Sequence, residues 1–256
     1  MKIASWNVNS IRKRIGNVLD WLRAAEPDVA LLQELKCEEE NLPRLELEDL
    51  GYHVAALGQK SYNGVAILAR APLEDLQEGL PGDEEDTQAR YLEVTTNGVR
   101  VASIYLPNGN PVGGPKFDYK LAWMRRLQLH AAELLSRETP TVLGGDYNVI
   151  PMPEDAYDPG VYADDALYQP ESRNAFRTIL NLGYTDAFRA LHHGGGHYTY
   201  WDYQGRAFAG DLGIRIDHLL LSPQAADRLQ ECQIDREPRG KENASDHTPI
   251  WCTLEV

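Results

Sequence analysis

Apolar residues at Ile11, Ile15, Val18, Leu19 and Leu22 recur at the spacing that lays one stripe along a helix, and Pro27 closes that segment. The preceding stretch Lys2-Ile3-Ala4-Ser5-Trp6 and the following run Val29-Ala30-Leu31-Leu32 read as strands. The opening is therefore strand, helix, strand. Further strands are predicted at residues 64–69, 90–94 and 99–105, with Asn97-Gly98 supplying a hairpin turn between the last two. Trp123, Leu127, Ala131 and Leu134 predict a second helix that leads into the strand Thr141-Val142-Leu143, so the second half repeats the plan of the first. Phe176, Ile179 and Leu180 mark a third helix, and residues 216–221 and 249–254 read as late strands.

Helices between strands argue for an α/β fold, and the hairpin argues for mixed sheets. Two packed mixed sheets with helices outside fit this pattern. No linker rich in Pro, Gly or Ser splits the chain. Its 256 residues, 43% hydrophobic and 25% charged, suit one domain spanning 1–256. The first strand starts at once and no apolar run approaches the ~18 residues of a membrane span, so a soluble, cytoplasmic protein is expected. Cys37, Cys232 and Cys252 are odd in number, far apart and without a CxxC pair, which argues against a disulfide framework and a thiolate zinc site.

A net charge of −14 argues, taken alone, against a nucleic-acid partner. Distribution changes that picture. Acid gathers in Glu38-Glu39-Glu40, Asp83-Glu84-Glu85-Asp86 and residues 154–165, each readable as a solvated face. Base gathers at Arg12-Lys13-Arg14, Lys116 with Lys120, Arg125-Arg126, and Arg236, Arg239 and Lys241, bracketing a set of short polar clusters where a polyanion would approach. Ordinary solvated charge explains any one of these alone.

The polar clusters are Trp6-Asn7-Val8-Asn9, Leu32-Gln33-Glu34, Gly144-Gly145-Asp146-Tyr147-Asn148 and Ser245-Asp246-His247, each at the end of a strand-like segment. Carboxylates and amides are hard oxygen donors suited to magnesium or manganese. Glu34 directly after an apolar run needs a positive partner, either a metal ion or Lys36 two residues on. Two glycines before Asp146 let the backbone approach a ligand closely, and Asp146 with Asn148 can orient and deprotonate a water; a plain turn uses the same residues. A charged His247 can stabilise a phosphate, with Asp217 on the strand Ile216-Asp217-His218 as its orienter and Asp246 free for a metal. His218 alternates to the opposite face and reads as structural. Tyr105 and Asn108 end a strand in a turn and can present a hydroxyl and an amide to a phosphate oxygen. Tyr198, Tyr200, Trp201, Tyr203 and Phe208 are dense enough to include stacking faces, with core packing the default for about half of them.

Together with Tyr62-Asn63-Gly64, Tyr105-Leu106-Pro107-Asn108-Gly109, Lys116-Phe117-Asp118-Tyr119-Lys120, Trp201-Asp202-Tyr203 and Gly213-Ile214-Arg215-Ile216-Asp217, these clusters resemble in order and spacing the exonuclease III family of abasic-site endonucleases. The resemblance covers essentially the whole chain. It implies a four-layered α/β sandwich, two mixed β-sheets packed face to face with helices outside, and a magnesium-dependent, or manganese-dependent, DNA repair phosphodiesterase that acts as a monomer on double-stranded DNA. It implies metal-site roles for Asn7, Glu34 and Asp246, with Asn9 close by. Asp146 held by Asn148 would deprotonate water, and His247 paired with Asp217 would contact the phosphate together with Tyr105 and Asn108. Tyr200, Ile214 and Ile216 would line a pocket for a flipped, base-less sugar, with Trp201, Arg12 and Lys116 as further substrate-binding residues. The acidic stretch 154–165 departs from the family by falling where its members grip DNA. Incision 5′ to abasic sites, 3′-end exonuclease or phosphatase action, and a non-catalytic DNA-binding module all remain open at this stage, with incision the leading expectation.

Overall fold

The computed structural model describes residues 1–255. Twelve strands run in chain order as β1 (Lys2–Asn7), β2 (Val29–Gln33), β3 (His53–Leu57), β4 (Val65–Ala69), β5 (Glu74–Glu78), β6 (Tyr91–Thr96), β7 (Val99–Tyr105), β8 (Thr141–Asp146), β9 (Thr185–Asp186), β10 (Asp217–Leu221), β11 (Leu229–Ile234) and β12 (Ile250–Leu254). Among them lie helices α1 (Ile11–Ala25), α2 (Arg44–Glu48), α3 (Pro115–Ser136), α4 (Pro170–Asn181), α5 (Ala187–Leu191) and α6 (Pro223–Ala226). The strands form two six-stranded mixed sheets, ordered β11-β12-β1-β2-β4-β3 and β5-β6-β7-β8-β10-β9. In each, a parallel central pair, β1 with β2 or β7 with β8, is flanked by antiparallel neighbours. The repeated plan read from the sequence is thus a repeated sheet.

Alternation along the strands sorts side chains into three layers of core. Ile3, Val29, Leu31, Val65 and Ile67 of the first sheet meet Leu92, Val94, Val101, Val142 and Leu219 of the second. On the first sheet's outer face, Trp6, Leu32 and Leu68 pack against Val18 and Leu22 of α1. On the second's, Ala102, Ile104 and Leu143 pack against Trp123, Leu127 and Phe176 of α3 and α4. The order is helix, sheet, sheet, helix, the four-layered sandwich the resemblance implies. Gly144 and Gly145 serve this packing, not the close approach of a ligand. A Cβ at Gly144 would meet Leu31 and Leu219 at 2.6 and 2.8 Å, and one at Gly145 the Ile104 carbonyl oxygen at 2.0 Å.

Strand register fixes what stands at the sheet edges. Tyr105 lies opposite Asp146 and Asp146 opposite Asp217, so β7, β8 and β10 deliver three polar residues in one row. In the other sheet Asn7 lies opposite Gln33, with Glu34 next along the chain. No helix among the described residues is long and apolar enough to cross a membrane.

Candidate active site

From the two rows Tyr105, Asp146 and Glu34 line one cavity of about 310 Å³, together with Asn108, Asn148, Tyr200, Ile214, Ile216, Asp246 and His247, and with Tyr162, Asp165, Leu167 and Asp202 completing it. Glu34 and Asn148 reach it from left-handed backbone, φ 54° and 47°, a conformation that costs a non-glycine residue energy and persists where neighbours impose it. For Glu34 the neighbours are visible: the amides of Ser10 and Leu35 are tied across the strand ends, Ser10 to the Glu34 carbonyl at 2.7 Å and Leu35 to that of Gly64 at 3.1 Å.

Asp146 is the buried floor of the cavity. Its Oδ1 accepts from the Asn148 backbone N–H at 2.9 Å and its Oδ2 from the Asn7 side-chain amide at 2.9 Å. Burial pushes the Asp146 carboxyl up from its ordinary value, against the pull of the nearby imidazole. The same Asn7 amide donates to Glu34 Oε1 at 2.8 Å, so one residue at the end of β1 spans the carboxylates of both sheets. As placed it orients them with its nitrogen; its oxygen accepts from the Asn9 backbone N–H at 3.0 Å.

His247 stands across from Asp146, its Nε2 3.7 Å from Oδ2, while its Nδ1 is 2.8 Å from Asp217 Oδ2. Burial alone would strip the imidazolium of its proton, but Asp217 and Asp146 outweigh it and raise the pKa to about 10. The imidazole is therefore charged at neutral pH. Among the described residues Asp217 Oδ1 is buried with no hydrogen-bond partner, and Oδ2 is the oxygen that meets the histidine. His218, one residue on, points the other way, to Arg215 at 2.9 Å and the Val149 carbonyl at 3.1 Å.

Ligand atoms of Glu34, Asp146 and His247 lie within 4.8 Å of one another, and with the imidazole protonated the two carboxylates are the members able to hold a metal ion. The two carboxylates are the hard oxygen donors such an ion takes. Lys36 is there as well, its ammonium 2.6 Å from Glu34 Oε2 and 2.5 Å from Asn9 Oδ1. Burial would raise the Glu34 carboxyl, and Lys36, joined by Asn7 and His247, outweighs it and holds it below the usual range. Both partners that the sequence offers Glu34, a cation site and an ion pair, are thus geometrically present. Asp246 lines the cavity but lies outside that three-residue group, and its Oδ1 accepts from Asn9 at 2.9 Å.

Several expected residues are elsewhere. Trp201 is fully buried beside Tyr198 and Phe208, its Nε1 donating to Asp211 at 3.1 Å, so its ring belongs to the core and not to a stacking surface. Arg12 and Lys116 are exposed and line no part of the cavity. Lys120 is completely buried, not a surface cation. The stretch 154–165 is not wholly solvated either: Asp155 is buried against Arg215 at 2.7 Å, which anchors the segment carrying Tyr162, Asp165 and Leu167 beside the cavity. Those three and Asp202 escape a sequence reading, because acid-rich context hides an anchored wall; an Asp-to-Arg pairing between Asp155 and Arg215, just before β10, was the available signal.

Residues 4–247 match the Endonuclease/Exonuclease/phosphatase family. The exodeoxyribonuclease III of Haemophilus influenzae is 31% identical over 266 residues, covering 98% of this chain and 98% of that one. The structure of an AP endonuclease from Archaeoglobus fulgidus superposes with a TM-score of 0.96 at 35% identity over the full length of both chains. That of the 3′ phosphatase NExo from Neisseria, bound to product DNA hairpin, gives 0.97 at 39% identity, again over both full lengths. The chain belongs to the endonuclease/exonuclease/phosphatase family.

Proposed function

We propose that this protein is a DNA repair nuclease that hydrolyses the backbone of double-stranded DNA 5′ to abasic sites and leaves a 3′-hydroxyl. The observation that carries the reading is the opposition of buried Asp146 and charged His247 across one cavity. Asp146, fixed by Asn7 and the Asn148 amide, accepts the proton of the attacking water. The imidazolium of His247, held by Asp217, meets the charge that builds on the phosphate. Tyr105 and Asn108, on the cavity wall, position the phosphate oxygens. Glu34, kept in place by Asn7, would hold a magnesium ion, with Asn9 and Asp246 alongside. When bound, such an ion would supply Lewis-acid stabilisation of the charge that develops in phosphodiester cleavage. Tyr200, Ile214, Ile216 and Leu167 form the apolar wall that receives a base-less sugar, which gives up little stacking on leaving the helix. The chain acts as one domain and as a monomer. Purified protein with Mg²⁺ is expected to cut a duplex carrying a tetrahydrofuran residue, and Asp146→Asn to bind it without cutting; an intact duplex with wild-type protein refutes the incision.

A second reading is favoured by the likeness to the Neisseria 3′ phosphatase: the same machinery trims 3′ ends and incises abasic sites little. A 3′-phosphate terminus given to the same preparation separates the two.

A further inference from the structure

Lys120, in the second turn of α3, is 0% exposed, and the partners of its ammonium are main-chain carbonyls. Nζ lies 3.0 Å from the Asn108 oxygen and 2.5 Å from that of Asn148. Asn108 follows β7 and Asn148 follows β8, so one cation joins the loops that leave the two central strands of the second sheet. On the far side of those loops the same residues face the cavity, where the Asn108 amide donates to Asn148 Oδ1 at 3.1 Å. Asn148 also donates to the Leu106 carbonyl at 2.9 Å and holds Asp146 through its backbone N–H. The lysine stem is part of the fit, because a Cβ at Gly109 would meet Lys120 Cδ at 2.6 Å.

Burying an ammonium on carbonyls alone is an expensive way to fill space. A methionine would fill it without the loss of hydration, and replacing buried charge by apolar groups of similar volume is often neutral or stabilising. Burial pushes the Lys120 pKa down to about 7, with Asp146 and Asp165 opposing. Stability therefore does not account for a charged group at this point, whereas the geometry of two active-site loops does.

We propose that Lys120 is a positioning residue: its buried ammonium gathers the Asn108 and Asn148 carbonyls, and thereby sets the two side-chain amides and the Asp146 carboxylate at the spacing the reaction needs. This rests on the function proposed above, in which those groups meet the phosphate and the water. Small misplacements of such groups reduce the rate steeply. Lys120→Met is expected to lower kcat on the abasic duplex by on the order of 10- to 100-fold, with KM unchanged and Tm kept within about 3 °C. In the Lys120→Met, Asn148→Ala double variant the losses are expected not to add, because the lysine acts through the asparagine. In the absence of substrate, the side-chain amide ¹H–¹⁵N signals of Asn108 and Asn148 are expected to move in Lys120→Met. Lys120→Gln repeats the comparison should the methionine variant unfold. Unmoved amide signals, strictly additive losses, or unfolding of both variants would overturn the proposal. Wild-type protein inert on every phosphodiester substrate would instead refute the function, and the amide signals would still decide the role of Lys120.

Discussion

His247 Nδ1 sits 2.8 Å from Asp217 Oδ2, so the charge on the imidazole lining the cavity is set by a carboxylate at the start of β10 whose second oxygen has no partner among the described residues. Burial works against the imidazolium, and Asp217 is the largest influence in its favour. A histidine with a raised pKa is charged below that value and loses its proton as pH rises through it. Asp217→Asn lowers the pKa, so the alkaline limb of the kcat/KM profile is expected to shift to lower pH, with activity lost more at alkaline than at neutral pH. A profile that keeps its alkaline limb in place counts against the pairing.

Glu34 pairs with Lys36 and also belongs to the group able to hold a metal ion. Chelation is expected to abolish cleavage, and added Mg²⁺ or Mn²⁺ to restore it. In Glu34→Gln the metal concentration giving half-maximal rate should rise by roughly tenfold or more. Titration of activity against free metal in both proteins measures this.

Gly145 stands against a backbone atom that has nowhere to go, the Ile104 carbonyl oxygen 2.0 Å from where a Cβ would be. Gly145→Ala is expected to destabilise the protein by at least about 3 kcal/mol, the upper range for forced overpacking, and to displace Asp146 next to it. Denaturant unfolding followed by circular dichroism reads the first effect; a stability within error of wild type contradicts it.

His218 is buried with its pKa pushed down to about 4 by burial and the Arg215 guanidinium. Between that value and 6.5 the unfolded chain binds the proton and the folded one does not. Stability is therefore complete above the unfolded pKa and falls with pH until the folded pKa is reached, by about 3 kcal/mol for this group. Unfolding free energies measured across that window should flatten in His218→Gln.

The central strands were legible in the sequence because they are buried on both faces and read as apolar runs, as in Val65–Ala69 and Thr141–Asp146. His53–Leu57, Glu74–Glu78 and Leu229–Ile234 were not, since edge strands carry polar residues toward solvent and lose the run. At the site, Glu34 shows why one carboxylate admits two readings, for the chain supplies both a cation group and a lysine. Trp201 and Lys120 went astray for one reason: residue type tells what a side chain can do, and only packing tells which way it faces. Trp201 turns inward beside Phe208, and Lys120 turns under the loops it was expected to flank.

Strand β1 pairs with β12, Lys2 opposite Thr253, and at their ends Ser245 Oγ donates to the Asn7 carbonyl at 2.7 Å across 238 positions of sequence. Closing so long a loop costs more chain entropy than a contact between near neighbours in sequence. Residues 1–246 alone would hold Glu34 and Asp146 without the His247 imidazole that stands against them. Glu34, Asp146 and His247 thus come from segments far apart in the sequence, and the cavity they line is complete only where the pairing of β1 with β12 holds them together.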